Sequence, residues 1–299
     1  MEHTRTITKE FTTGDKAVLH VETRSGAVNV EGHESDRVFV EAIVHVWSDL
    51  AVEADEAASL VDQAIEQNEH RVIVRAPSLP HTEGWSLWGG KRGSRVDYNI
   101  RVPVETAVRV LSRSGRVQVA RTHGRVHVEA GSGRCSIVQV RGEVAVTVRS
   151  GGLAIDRVEG DVTAEARSGR IEIGHVTGSV TAEARSGTLE VRDVGGDVKV
   201  TAHTGSVVID DAHAAVHARA HTGMIRYHGA VRGDFDMKSQ TGLIHLSVDP
   251  DTTFYLDAES AIGNVQSDLP PRRGGGGPNG TGPKVRLRTH TGMIKLSRA

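Results

Sequence analysis

The chain has little of what an ordinary globular interior is built from. Its 299 residues include only 4 Phe, 3 Trp and 3 Tyr, together with one cysteine. So few rings exclude a core packed on aromatic side chains. The apolar fraction of 37%, mostly Val, Ala and Ile, lies below the usual range and suits many small pleated surfaces instead. The single cysteine, Cys135, excludes an internal disulfide framework and a cysteine-based zinc cluster, and its aliphatic position in the repeat described below makes it a small core filler. Neither charge is in excess: 36 Lys and Arg stand against 38 Asp and Glu, a net charge of −2. That argues against a generally basic nucleic-acid surface and against an acidic disordered tail. The opening MEHTRTITKEFTTG lacks an apolar signal core, and no apolar run is long enough to span a membrane. The expectation is a cytoplasmic protein without a membrane span, with peripheral association with the envelope as the other option.

Glycine, in contrast, is abundant, with 34 residues. It recurs every nine positions at Gly115, Gly124, Gly133, Gly142, Gly151, Gly160, Gly169, Gly178, Gly187, Gly196 and Gly205, misses at Ala214 and resumes at Gly223. Alternate members follow Ser or Thr, so the unit is 18 residues made of two similar halves, as in RSGRIEIGHVTGSVTAEA from Arg167 to Ala184. Counted from the Gly of the Ser/Thr-Gly pair, apolar residues fall at offsets +2, +4, +7, +11, +13 and +15. In one unit these are Ile171, Ile173, Val176, Val180, Ala182 and Ala184. A local period of two is a strand signal, and glycine at fixed offsets marks corners that need positive φ or close backbone approach. The pattern predicts two short strands per unit joined by tight turns.

Such a unit cannot bury its own inner face, but stacking identical units in parallel register buries a continuous aliphatic column. The predicted fold is therefore all-β: a parallel β-solenoid of about 18-residue coils with an N-terminal strand-and-helix cap. Phe or Trp would force the walls of so narrow a coil apart. Calcium-binding nonapeptide repeats are excluded by the lack of an aspartate ladder, and hexapeptide solenoids by the period of nine.

Residues 1–110 are expected to form the cap and 111–299 the solenoid. VETRSGAVNVEG, from Val21 to Gly32, already carries the Ser-Gly signature. Residues 49–68 place Leu50, Ala54, Ala57, Ala58, Val61, Ala64 and Ile65 at helical spacing behind Asp49 as N-cap. Towards the C-terminus one unit is stretched by a residue between Gly223 and Gly242, and residues 272–283 read as a Gly-rich surface loop. The final VRLRTHTGMIKLS is expected to be the last coil, leaving that end open.

The N-terminal strands, the helix, the phrase RVDYNIRVPVETAVRVLSRSGRVQV and the many S/T-G-x-[LIV]-x-[LIV]-x-x-V-x-G-x-[LIV] units resemble the bacterial putative-adhesin family, a β-strand-repeat domain of unknown function. The likeness runs from about Arg5 to the C-terminus and implies the fold. It brings no catalytic residues to carry over.

Equivalent outward residues of successive coils should stack into ladders. Offset +16 reads Arg149, Arg167, Arg185, His203 and His221, and offset +14 includes Glu165 and Glu183. One reading is a solvated face on which the glutamates screen the arginines. The other is a contact strip for a protein or an anionic polymer. His203, His221 and His290 share one repeat position, and imidazoles gain charge in mild acid, so this stack is a candidate pH switch. Two histidines without a third ligand make a poor metal site. The Ser and Thr before each corner glycine (Ser150, Ser168, Ser186, Thr204, Thr222) repeat identically and read as turn hydrogen-bonders, not nucleophiles. Asp210 and Asp211, adjacent on a strand end, diverge too far for an acid/base pair. No catalytic, cofactor or metal site is expected.

The loop PSLPHTEGWSLWGGKRGSR contains Trp85 and Trp88 beside Lys91, Arg92 and Arg95. It is a candidate for partner or membrane contact, or for plugging the N-terminal end. The sequence thus points to a non-enzymatic scaffold or binding module. The alternative is self-assembly through the open C-terminal end, as in the bacterial solenoids called bactofilins, and a polysaccharide-active enzyme comes last.

Overall fold

The computed structural model describes residues 1–14, 16–48, 50–79, 93–250, 252–269 and 282–299. These are nearly all β, with one helix. They divide into two compact units, Met1–Gly151 and Gly152–Ala299.

In the first unit, β1 (Glu2–Thr12) precedes β2 (Val18–Thr23) and β3 (Val28–His33). Together β2 and β3 form a coil, because both pair in parallel with one long strand. The chain then leaves the stack through β4 (Arg37–Trp47), α1 (Val52–Gln63), β5 (Ile65–Asn68), β6 (Arg71–Val74) and β7 (Gly93–Pro103). It rejoins as β8 (Ala107–Thr122), which pairs with both β2 and β3 and then with β9 (Val126–Arg141). β6 and β7 cover the other edges of β2 and β3, while β4 runs antiparallel to both β1 and β7. The Ser-Gly signature at Val21–Gly32 therefore marks a true coil.

The helix is shorter than its periodicity predicts. It ends at Gln63, and Ile65–Asn68 instead forms a hairpin with β6. Ala54, Ala57, Val61 and Ile65 are buried as expected, but Leu50 is exposed. Asp49 lies outside the described residues. Near the helix start the Ser48 hydroxyl accepts from the Leu50 amide and donates to Glu53. Arg5 and Lys9 of β1 bind Asp55 and Asp62, pinning the helix to the strand it covers.

The second unit stacks repeats. After β10 (Val144–Glu159), within which the unit boundary falls, come β11 (Val162–Val176), β12 (Val180–Val194), β13 (Val198–Ala212), β14 (Val216–Gly229) and β15 (Phe235–Val248). Each repeat is one continuous strand bent at its Ser/Thr-Gly corner, in place of the two short strands expected. β11 to β15 pair in parallel and in register, Gly169 to Gly187, Gly205, Gly223 and Gly242. All six inward offsets of the Gly169 repeat are buried, from Ile171 to Ala184. Cys135 occupies such a position in the first unit, and desolvation pushes its thiol up to about 12.

Two observations correct the sequence reading. Large rings do enter a coil: Tyr227 and Phe235 are fully buried and meet edge to face, with centroids 4.7 Å apart. The register shifts from 18 to 19 between β14 and β15, so the extra residue lies in the intervening turn, beside this ring pair. The Tyr227 hydroxyl donates to the Ala230 carbonyl at 2.5 Å in the same turn. Second, the final segment is not the terminal coil. β17 (Lys284–Arg298) pairs with β15 on one side and with β16 (Tyr255–Ser267) on the other. The terminal layer is β16, whose other edge has no strand partner among the described residues.

A further regularity has no glycine signature. Arg121, Gln139, Arg157, His175, Asp193 and Asp211, spaced by 18, all have φ between 49° and 57°. They form the second corner of the coil, skipped in the pairing where Gly174 and Val176 register on Arg192 and Val194. Left-handed backbone at a non-glycine residue costs roughly 1–2 kcal/mol, so cross-coil pairing on both sides must hold each of these in place.

At the first corner the glycines are obligatory. Gly187 has φ of 125° and Gly205 of 133°, and a Cβ on either would overlap the carbonyl oxygen of the corner glycine one coil below. Gly187→Ala is expected to destabilise the fold by about 3 kcal/mol or more, combining backbone strain with overlap. Gly152→Ala, where a Cβ meets nothing within 4 Å, should be near neutral. Thermal or denaturant unfolding of the two variants measures the difference, and equal effects would refute this account of the corner.

Candidate functional site

Because the coils stay in register, the predicted outward ladders exist. Offset +14 in the second unit runs Glu165, Glu183, Thr201, Arg219, Lys238, Arg288 and Glu259 across β11, β12, β13, β14, β15, β17 and β16. Offset +16, bracketed by registered neighbours, runs Arg167, Arg185, His203, His221, Gln240, His290 and Ala261 in the same order. Arg149 belongs to the first unit, at the matching position of β10.

Between the two ladders of the second unit, contact among the described residues is confined to Glu183 and His203, where +14 meets +16 across neighbouring coils. Glu183 lies 3.5 Å from His203, and no ion pair joins Arg167 or Arg185 to Glu165 or Glu183. Arg219, His221 and His290 likewise make no ion pair with a described residue. Where +16 changes from Arg to His, +14 changes from Glu through Thr to Arg and Lys. The cation row thus shifts by one outward position, and the acids drop out until the edge strand supplies Glu259.

At this crossover the surface sinks into a shallow depression of about 600 Å³. Its cationic wall is Arg219, Lys238 and Arg288, and its rim carries His203, His221 and His290. Ala202 and Ala220 lie in its floor, with Thr201, Gln240 and Glu259 as neutral or acidic hydrogen-bonding groups. At the next two coils the alanines of the floor are replaced by Ser239 and Thr289, both 4% exposed, whose hydroxyls find no partner among the described residues. Lys238 is held by Asp236 at 2.9 Å. Arg288 grips Asp257 through two bonds of 2.9 and 2.7 Å and reaches Glu259 at 3.4 Å. The sequence analysis named His203, His221 and His290 but missed Lys238 and Arg288 as their neighbours. The extra residue in the turn before β15 and the exchanged order of β16 and β17 hide these two from a simple count of 18.

The corner hydroxyls behave as turn hydrogen-bonders. Ser114 donates to the Arg24 carbonyl at 3.0 Å, Ser150 to Gly131 at 3.5 Å and Ser186 to Arg167 at 3.3 Å, each tying one coil to its neighbour. Aspartates in the turns between strands do the same: Asp161 and Asp197 accept from the amides of Ser179 and Ala215 at 2.8 and 3.1 Å. Among the described residues no group of three or more His, Cys, Asp or Glu is arranged to hold a metal ion, and no helix is long and apolar enough to cross a membrane. Trp85, Trp88, Lys91 and Arg92 lie outside the described residues. Arg95, at the edge of that loop, bonds Asp97 at 3.1 Å and sits over Trp47 at 5.8 Å.

Hydrogen bonds from Arg288, aided by its charge and that of Arg286, hold the Asp257 carboxyl below the usual carboxylate range. A lowered folded-state value stabilises the ionised form, so this contribution is complete above the ordinary carboxylate range and is lost as pH falls through the lowered value. Protection factors across residues 255–267, taken relative to the intrinsic exchange rate at each pH, should therefore fall several-fold in acid. Asp257→Asn should produce the same change at neutral pH, and protection of β16 that ignores both would show that the pair does not hold the edge.

Three comparisons with known proteins complete the description. The family model described as Toastrack DUF4097 matches residues 19–296. No curated protein matches the chain. The crystal structure of a putative cell adhesion protein from Clostridium sporogenes ATCC 15579 aligns over 99% of this chain and 100% of its own, at 10% identity and a TM-score of 0.23.

Proposed function

The chain belongs to the Toastrack DUF4097 family, and from that premise we propose that it is a non-enzymatic scaffold whose stacked coils present charged ladders to a binding partner. The observation that carries this reading is that the guanidinium groups of Arg167 and Arg185 form no ion pair with a described residue. A surface built only for solubility neutralises such close like charges with neighbouring acids, and Glu165 and Glu183 are present but do not pair with them. Free guanidinium groups in fixed register offer planar donors to carboxylate or phosphate without the entropy cost of ordering a loop. Against catalysis, Ser114, Ser150 and Ser186 are engaged in tying one coil to the next, and the Ser or Thr before each corner glycine repeats alike, with none set apart among the described residues by a base and an orienting acid. Affinity capture from cell lysate should recover a partner that Arg167→Ser/Arg185→Ser binds about tenfold or more weakly. A variant that retains full capture would remove the ladder from the contact face.

A second reading is supported by the uncovered layer. Leu256 and Val265 of β16 register on Val285 and Ile294 at inward positions, yet are 43% and 40% exposed. An edge strand with uncovered inward residues can pair with a second copy. The mass measured by light scattering should then rise with protein concentration, and Val265→Lys should abolish the rise. A mass independent of concentration would exclude assembly through this end.

A further inference from the structure

The depression formed by β13, β14, β15, β17 and β16 has a chemistry that the rest of the ladder face lacks. Three fixed cations, Arg219, Lys238 and Arg288, stand beside three imidazoles, His203, His221 and His290. Closely spaced cations in a concave surface reinforce one another's potential and favour a ligand with several acid groups over a single anion. The neutral and acidic members narrow the class. Glu259 cannot bind an acid group, but it accepts hydrogen bonds from hydroxyls, as Gln240 and Thr201 also can. No Phe, Tyr or Trp lines the depression, so it lacks the large-ring stacking platform that single-stranded nucleic acids favour. Among the described residues β13, β14, β15 and β17 are paired on both sides, so the edge left to extend a sheet with a peptide is that of β16, at the margin of the depression and not within it.

We infer that this depression binds an acidic polysaccharide, with acid groups on Arg219, Lys238 and Arg288 and hydroxyls on Glu259, Gln240 and Thr201, and binds it more tightly in mild acid. The inference rests on the reading of the ladders as a contact face and assigns a ligand class to one end of it.

The charged and titratable groups facing the three histidines account for the acid dependence. His203 on β13 faces Arg185 and Glu183 of β12 and Arg219 and His221 of β14. His221 faces His203 on one side and Lys238 with neutral Gln240 on the other. His290 on β17 faces Lys238 and Gln240 of β15 and Glu259 and Ala261 of β16. Glu183 and Glu259 meet the two ends of this row, and Asp236 and Asp257 pair Lys238 and Arg288 beside it, so each proton added to a histidine tips a nearly balanced set of charges to a net positive one, which a bound polyanion would relieve.

Calorimetric titration of the full chain with polygalacturonate at constant ionic strength tests this, because the ligand's carboxylates stay ionised from pH 5.5 to 7.5. Affinity should be roughly tenfold higher at pH 5.5 than at pH 7.5. His203→Gln/His221→Gln/His290→Gln should remove that difference while keeping the weaker binding. Arg219→Ser, at a residue with no ion pair to lose, should weaken binding several-fold at both pH values. Circular dichroism and the melting temperature confirm that both variants remain folded. Polyglutamate and neutral dextran serve as the other ligands: equal affinity for polyglutamate would overturn the assignment to a polysaccharide, and equal affinity for dextran would overturn the role of the acid groups. No binding of polygalacturonate at pH 5.5, or a pH dependence that survives in the triple-histidine variant, would also overturn the inference. Arg167→Ser/Arg185→Ser should bind polygalacturonate normally. If polygalacturonate fails while that variant still loses its captured partner, the depression is not the site and the contact-face reading stands.

Discussion

Everything regular in this protein depends on how closely the corner glycine of one coil approaches the glycine carbonyl of the coil beneath. At Gly187, Gly205, Gly223, Gly242 and Gly292 the space for a side chain is already filled by that oxygen, and the backbone lies at positive φ. Within the first unit Gly115, Gly133 and Gly151 stand in the same relation to Gly26, Gly115 and Gly133. With the corners locked one above another, a slip of a single residue would drive a Cβ into a carbonyl and turn every inward valine outward. Register is therefore set by sterics at one point per coil, and the aliphatic column needs only to be small and apolar. Where the turn between β14 and β15 gains a residue, the column accepts the Tyr227 and Phe235 rings without disturbing the corner.

A fixed register turns sequence drift into a spatial gradient. Outward residues at one offset stand on neighbouring coils, so a change from Arg to His along the chain becomes a change along the surface. Within a few coils the second unit passes from a face bearing unpaired arginines to a depression where Arg219, Lys238 and Arg288 flank three histidines. The scaffold needs no loop or hinge to build such a site. Its residues arrive from five strands already held by cross-coil hydrogen bonds, which limits the ordering cost of binding.

Each unit shows in its own way the cost of an open sheet. In the first unit the chain covers its outer coil with β6, β7 and an antiparallel strand, and Arg5 and Lys9 tie a helix over the assembly. In the second unit the last-made strand is placed inside the penultimate one. β17 brings Val285, Leu287, Ile294 and Leu296 to the inner column, whereas β16 brings Leu256, Ala258, Ser260, Val265 and Ser267. The richer apolar face takes the buried layer and the more polar one takes the edge, with Asp257 and Glu259 held by Arg288 on its outer side. Small polar inner residues and surface charge make β16 a poorer template for uncontrolled pairing than β17 would be.

The local period specified the coil. Glycine after Ser or Thr marked the first corner, and alternation by two placed Ile171 and Ile173, then Val180, Ala182 and Ala184, on the inner face, because each of these properties is decided within a few residues of chain. The left-handed corner at Arg157, His175 and Asp193 had no such signal, since ordinary side chains occupy it and pairing on both sides enforces its conformation. The helix end was lost for a related reason: Ala64 and Ile65 continue the helical spacing, but a hairpin with β6 outweighs one more turn. What only the tertiary structure decided was adjacency. Placing β17 between β15 and β16 brought His290 and Arg288 beside His221, Arg219 and Lys238, because strand order is chosen by how well each inner face is buried and by residues far apart along the chain. Residue spacing states which way a side chain points, and packing alone states what it meets.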